Sequence, residues 1–132
     1  MRLILAAAVA SLAFAPSLAL AGDPSGLWKT QPNDEGSYLH VRVAPCGGKI
    51  CGTIETAHTK NGESRSDYPH LGRQMITGME PDGDNAWDGG EIWAPDEDKT
   101  YSSNMELDGN TLRVEGCVLF ICRGQDWAKV GG

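Results

Sequence analysis

Apolar and polar residues alternate along most of this chain, and clusters of glycine and proline interrupt the alternation at intervals too short for long helices. The clearest case is Ser37 to Ala44. There Leu39, Val41 and Val43 fall on one side and Tyr38, His40 and Arg42 on the other, a period of two that predicts a half-buried strand. A second run, Ile50 to Thr56, follows across Cys46-Gly47-Gly48-Lys49, a Gly-rich connection suited to an antiparallel hairpin. Strands Thr100 to Leu107 and Thr111 to Val118 form another predicted hairpin around Asp108-Gly109-Asn110, with Met105 and Leu107 answered by Leu112 and Val114. Further runs at Gly26 to Thr30, Gln74 to Met79, Asp88 to Trp93 and Gln125 to Val130 bring the count to eight. Thr59 to Gly72 is polar and without period, and reads as a loop with at most a single helical turn.

Eight short sequential strands with tight connections predict an all-β fold. A small up-and-down eight-stranded barrel suits them best, because closure leaves no long sheet edge open to aggregation; a sandwich is the alternative.

The N-terminus departs from this texture. Arg2 gives a basic start, Leu3 to Ala15 an apolar run ended by Pro16, and Ala19-Leu20-Ala21 a small-x-small cleavage pattern. Residues 1–21 therefore read as a secretory signal peptide, and residues 22–132 as a single β-barrel domain of 111 residues, periplasmic or secreted after cleavage near Ala21. Nothing after Ala21 approaches the roughly 20 consecutive apolar residues of a membrane-spanning helix. No cysteine follows the cleavage point to accept a lipid.

Without Arg2, ten Lys and Arg stand against 18 Asp and Glu, a net charge of −8. Such a balance, with no basic stripe, argues against nucleic acid and against anionic membrane surfaces.

Export into an oxidising compartment gives the cysteines their meaning. They form two sets of identical spacing, Cys46 with Cys51 and Cys117 with Cys122. Four cysteines permit three pairings; hairpin geometry favours the local one, which places Cys46 and Cys51 opposite each other. A four-thiolate zinc site fits the spacing but not the compartment, and neither set has the two-residue gap of a redox pair. Between Cys117 and Cys122 lie four apolar residues, Val118 to Ile121. They are expected to fold inward and plug one end of the barrel; the competing reading is an exposed contact patch.

Asp82-Gly83-Asp84 begins like a calcium loop, but Ala86 and Trp87 break the pattern. His40, His58 and His70 complete no catalytic motif, and Asp96-Glu97-Asp98 reads as an acidic turn. No catalytic residue, metal or cofactor is expected. Asp67, His70 and Arg73 share the one segment without strand texture, where His70 and Arg73 suit either an anionic ligand group or a local cap.

Four tryptophans, Trp28, Trp87, Trp93 and Trp127, are many for so short a chain. Gly26-Leu27-Trp28 with a late arginine, Arg123, resembles the signature of lipocalin-like barrels, which implies a guanidinium packed across the indole of Trp28 at the closed end. The wider pattern resembles the exported bacterial family catalogued as domain of unknown function 2147. It comprises Gly26-Leu27-Trp28, Cys46, Cys51-Gly52, His70-Leu71-Gly72-Arg73, Gly89-Gly90-Glu91-Ile92-Trp93-Ala94-Pro95, Thr100-Tyr101, Leu112-x-Val114-x-Gly116-Cys117, Cys122-Arg123 and Trp127. One departure is the compact Ser66-Asp67-Tyr68-Pro69, where many members carry a longer Asn-Pro-containing segment. The resemblance implies a small calycin-like barrel of unassigned activity.

Two functions of different class fit these residues. One is a barrel that holds a small apolar or amphipathic ligand, with Tyr38, Trp93, Tyr101 and Met105 as walls and His70 and Arg73 at the mouth. The other is an envelope protein-protein interaction module with a filled core. A ring of eight strands accommodates either.

Overall fold

The computed structural model describes residues 22–132; the leader reading falls on residues 1–21, outside them. Eight antiparallel strands run β1(Gly26–Lys29), β2(Tyr38–Cys46), β3(Lys49–His58), β4(Gln74–Pro81), β5(Ala86–Ala94), β6(Lys99–Asp108), β7(Thr111–Val118) and β8(Ile121–Gly131). Each pairs with its sequence neighbour, and β1 pairs with β8 through Trp28↔Lys129 and Lys29↔Ala128. That last ladder closes the barrel and excludes the sandwich.

Alternation decides what lies inside. Val41 and Val43 of β2, Ile54 of β3, Met105 of β6, and Leu112 and Val114 of β7 point inward, and all are at most 2% exposed. A glycine at φ 71, Gly89, lies within the irregularity between Trp87 and Gly90 that bends β5 around the core.

The connections sort to two ends. At one end lie the β2–β3, β4–β5 and β6–β7 turns and both ends of the described chain. This end is filled by Trp28, Trp87, Met79 and Met105, and the segment before β1 straps across it. The strap is held by Gly22 N–H donating to Asp84 O at 2.8 Å, while Trp28 Nε1–H donates to Pro24 O at 2.8 Å. The β1–β2, β3–β4, β5–β6 and β7–β8 connections gather at the other end.

Seven of the eight strands lie close to their expected positions; β8 starts at Ile121 rather than Gln125. Cys117↔Cys122 and Val118↔Ile121 are ladder pairs, so the apolar stretch is itself the tip of a hairpin with Leu119 and Phe120 as its turn. Its residues are not a plug: Val118, Leu119, Phe120 and Ile121 are 55, 90, 101 and 71% exposed. A two-residue turn that continues a flat ladder has no slack to fold back into the barrel. Thr59 to Gly72 is a loop, as its polarity predicts, and holds no helical turn. Thr59 N–H bonds Glu63 O and Arg65 N–H bonds Ala57 O, so a compact turn satisfies this backbone, with one bridge between His58 and Ser64.

Both disulfides are local, Cys46–Cys51 and Cys117–Cys122, and they sit at opposite ends of the barrel. On the chain-entropy model, replacing either pair by serines costs about 2 kcal/mol, because each bond closes a short loop. Chemical denaturation of the two double variants measures this, with both barrels still folded.

Candidate functional site

Side-chain size along the inward faces changes from one end to the other. At the end opposite the tryptophan-filled core, inward positions hold Ala57, Ala94, Gly116 and Gly124, too small to meet across the barrel. The result is a cavity of about 1010 Å³ open at the mouth. Trp127, Met75, Val114, Ile92 and Leu39 form its apolar floor and walls. Trp127 is 1% exposed and directs Nε1–H to Gln125 Oε1 at 3.0 Å.

Towards solvent the lining changes character. All three tyrosines of the chain, Tyr38, Tyr68 and Tyr101, stand around the mouth, each half-buried. An aromatic ring with a polar tip suits a boundary that is apolar on one side and wet on the other. Tyr101 donates its hydroxyl hydrogen to Glu97 in the β5–β6 turn, and that bond raises its pKa above the ordinary tyrosine value. Burial raises that of Tyr68, with Asp96 adding to the effect. The β1–β2 connection is pinned by Asn33, whose Oδ1 accepts from the N–H groups of Glu35 and Ser37 at 3.0 Å each. Buried Thr30 ties it to β2, with Oγ1 accepting from Leu39 N–H at 2.9 Å. Glu35, Asp96 and Glu97, with Arg65 and Arg123, give the rim its charge.

The residues picked from sequence divide into three groups. Tyr101 borders the cavity, and Tyr38 stands at its rim with its ring stacked on His58. Met105 does neither: at 1% exposure it is packed in the core beneath the cavity. Trp93, His70 and Arg73 do come together, but not as cavity lining. Ile92 and Ala94 face the cavity, so the strand's alternation turns Trp93 away, and the β3–β4 connection covers it. The Arg73 guanidinium lies 3.3 Å from the centre of its ring, and the His70 ring meets it edge-on at 4.8 Å. Tyr68 meets His70 in turn at 5.4 Å, and Trp93 Nε1–H donates to Asp98 Oδ1 at 2.9 Å. Arg73 thus caps an indole that is only 6% exposed.

The expected packing of Arg123 on Trp28 is overturned by register. Trp28 is paired with Lys129, whose Nζ lies 5.9 Å from its ring, whereas Arg123 pairs with Gly116 and is exposed beside the mouth. The guanidinium–indole contact exists in this barrel, but between Arg73 and Trp93.

One cluster escaped the sequence reading. Tyr38 stacks on His58 at 5.0 Å, His40 lies 4.3 Å from His58, and Lys29 Nζ sits 4.2 Å over the Tyr38 ring. The pairing Tyr38↔His58 creates it, and β3 was expected to end at Thr56. Partial burial, then the charges of His58 and Lys29, lowers the His40 pKa against an opposing effect of Glu55.

The thiolate zinc reading loses its ligands. All four cysteine sulfurs are bonded to one another in pairs, which removes a thiolate zinc site. The Asp82–Asp84 stretch is the β4–β5 turn, closed by Asp82 N–H to Ala86 O at 2.8 Å, and Asp96–Asp98 is the acidic turn between β5 and β6.

Comparison with known proteins agrees with this architecture. The model of a family described as an uncharacterized protein conserved in bacteria, DUF2147, matches residues 26–129. Among solved structures, the chain is similar to a protein from the human pathogen Helicobacter pylori described as belonging to the lipocalin family. The TM-score is 0.66 at 14% identity, over 82% of this chain and 83% of that one. No curated protein matches the sequence.

Two consequences are measurable. Arg73→Ala should lower stability by about 1 kcal/mol through loss of the cation–π contact and shift tryptophan emission to the red as Trp93 is uncovered. Because His40 binds its proton less readily when folded, its contribution is present above the ordinary value of 6.5 and is lost as pH falls through the lowered one. Melting temperature should therefore drop on acidification below about pH 6.5, and His40→Asn should flatten that slope.

Proposed function

We propose that this chain, which belongs to the DUF2147 family of bacterial proteins, is an exported carrier that holds one small amphipathic molecule in the open half of its barrel. The observation that carries the reading is the 1010 Å³ cavity, with an apolar floor at Trp127 and a belt of three tyrosines at its mouth. That volume lies at the upper end of the range of small-molecule sites. The lining is graded: the apolar part of a ligand would rest against Met75, Ile92 and Val114, and its polar end would meet Tyr68 and Tyr101. The task is binding rather than catalysis. Its place of action is the periplasm or the cell exterior, supported by the N-terminal leader pattern and by two disulfides that an oxidising compartment sustains.

Native mass spectrometry of protein purified from its own organism should show a bound small molecule in substoichiometric or full amount. Ile92→Trp, which enlarges a side chain into the cavity, should weaken binding of that molecule about tenfold, or about 1.4 kcal/mol, at unchanged melting temperature. A protein that carries no small molecule and instead retains a second polypeptide would replace this reading with that of an envelope interaction module.

A further inference from the structure

Removal of apolar surface from water drives folding, yet four consecutive apolar residues at the tip of the β7–β8 hairpin stand in solvent, Phe120 completely. Leu119 also adopts φ 55, a left-handed conformation that glycine or asparagine takes readily and leucine does not. Neither feature stabilises the isolated barrel. The finger is nevertheless well built: the Cys117–Cys122 bond crosses its base, and Val118↔Ile121 is the last ladder pair before the turn.

From this tip we infer a membrane-docking site: the Leu119-Phe120 turn inserts into the surface of a zwitterionic phospholipid bilayer and sets the cavity mouth against it. Shape supports a bilayer over a protein. A turn two residues wide is convex and far too small to supply the roughly 800 Å² per partner of a stable protein interface, whereas interfacial insertion needs only a few apolar side chains. Charge placement agrees. Arg123 is the only charged residue between Glu115 and Asp126, and it makes no ion pair with any described residue. It lies three residues beyond Phe120 on β8, about 10 Å along an extended strand. That spacing matches the depth of about 5–10 Å to which apolar faces enter the headgroup boundary, so the guanidinium stands at the phosphates when the tip is immersed. Glu35, Asp96 and Glu97, on the β1–β2 and β5–β6 connections that flank the tip, oppose a surface of net negative charge, which selects zwitterionic lipid.

Flotation of the purified protein with phosphatidylcholine vesicles tests the site. The unaltered protein should float, and the double variant Leu119→Ser, Phe120→Ser should partition at least about tenfold less at unchanged melting temperature. In a second variant, Phe120→Trp, emission should move to the blue on vesicle addition and be quenched by lipids brominated near the carbonyl end of the acyl chain. The inference is overturned if the unaltered protein stays in solution, floats only with anionic vesicles, or floats equally well with both serines in place. It is equally overturned if the added tryptophan is not quenched, or if the tip instead joins a stable complex with another polypeptide. The inference rests on the hairpin and not on cavity occupancy. Ligand retention by the unaltered protein, measured without vesicles, keeps failure of one reading separate from failure of the other.

Discussion

Hydrogen bonding of β8 to β1 is the constraint on which everything else in this protein rests. Until Trp28 meets Lys129 and Lys29 meets Ala128, the strands form a sheet with two free edges and no interior. Once the ring is closed, alternation along each strand becomes a division between inside and outside. Trp28, Val41, Ile54 and Leu112 then share one core although they come from four strands spread over most of the described chain. The two disulfides close hairpins that the ladder already aligns, so they reinforce the ends of the ring without choosing its topology.

Given closure, the size of the inward side chains determines what the ring contains. Tryptophan and methionine pack together at one end, and the strap before β1 crosses that end. Alanine and glycine at the other end leave a hollow into which Trp127 rises as a floor. The same barrel is therefore packed where stability is needed and open where a ligand can enter. The rim combines tyrosine hydroxyls, acidic turns and the apolar β7–β8 tip, so the approach to the cavity is chemically uneven. The apolar tip stands between the β1–β2 and β5–β6 connections, which carry Glu35 and Asp96–Glu97.

The outer surface shows how much a register can do. Arg73 and Trp93 are twenty positions apart, and no local pattern links them; the covering of β5 by the β3–β4 connection makes them partners. Tyr38, His40 and His58 meet because β2 and β3 place them on adjacent positions of one outer face. Both clusters use aromatic and cationic faces to cover rings that strand alternation turns away from the barrel interior.

Strand number, antiparallel order, the hairpins and both local disulfides were legible in the sequence, because period-two alternation, turn glycines and cysteine spacing are local signals that translate directly into backbone geometry. The cavity was legible only in part. Tyr68 lies in a polar segment that reads only as a loop, and Met105, inward by alternation, is in the core rather than the lining. Which level of the barrel an inward residue occupies depends on strand stagger, and stagger is a property of all eight ladders together. The β7–β8 tip shows the same limit from the other side. Hydrophobicity argued for burial, and only the assembled hairpin, two residues wide and held out by its own ladder, decided that Phe120 faces solvent. The chain by itself determined that there would be an inside, and tertiary structure decided how deep each residue lies within it, because alternation is local whereas depth is measured against neighbours distant in sequence.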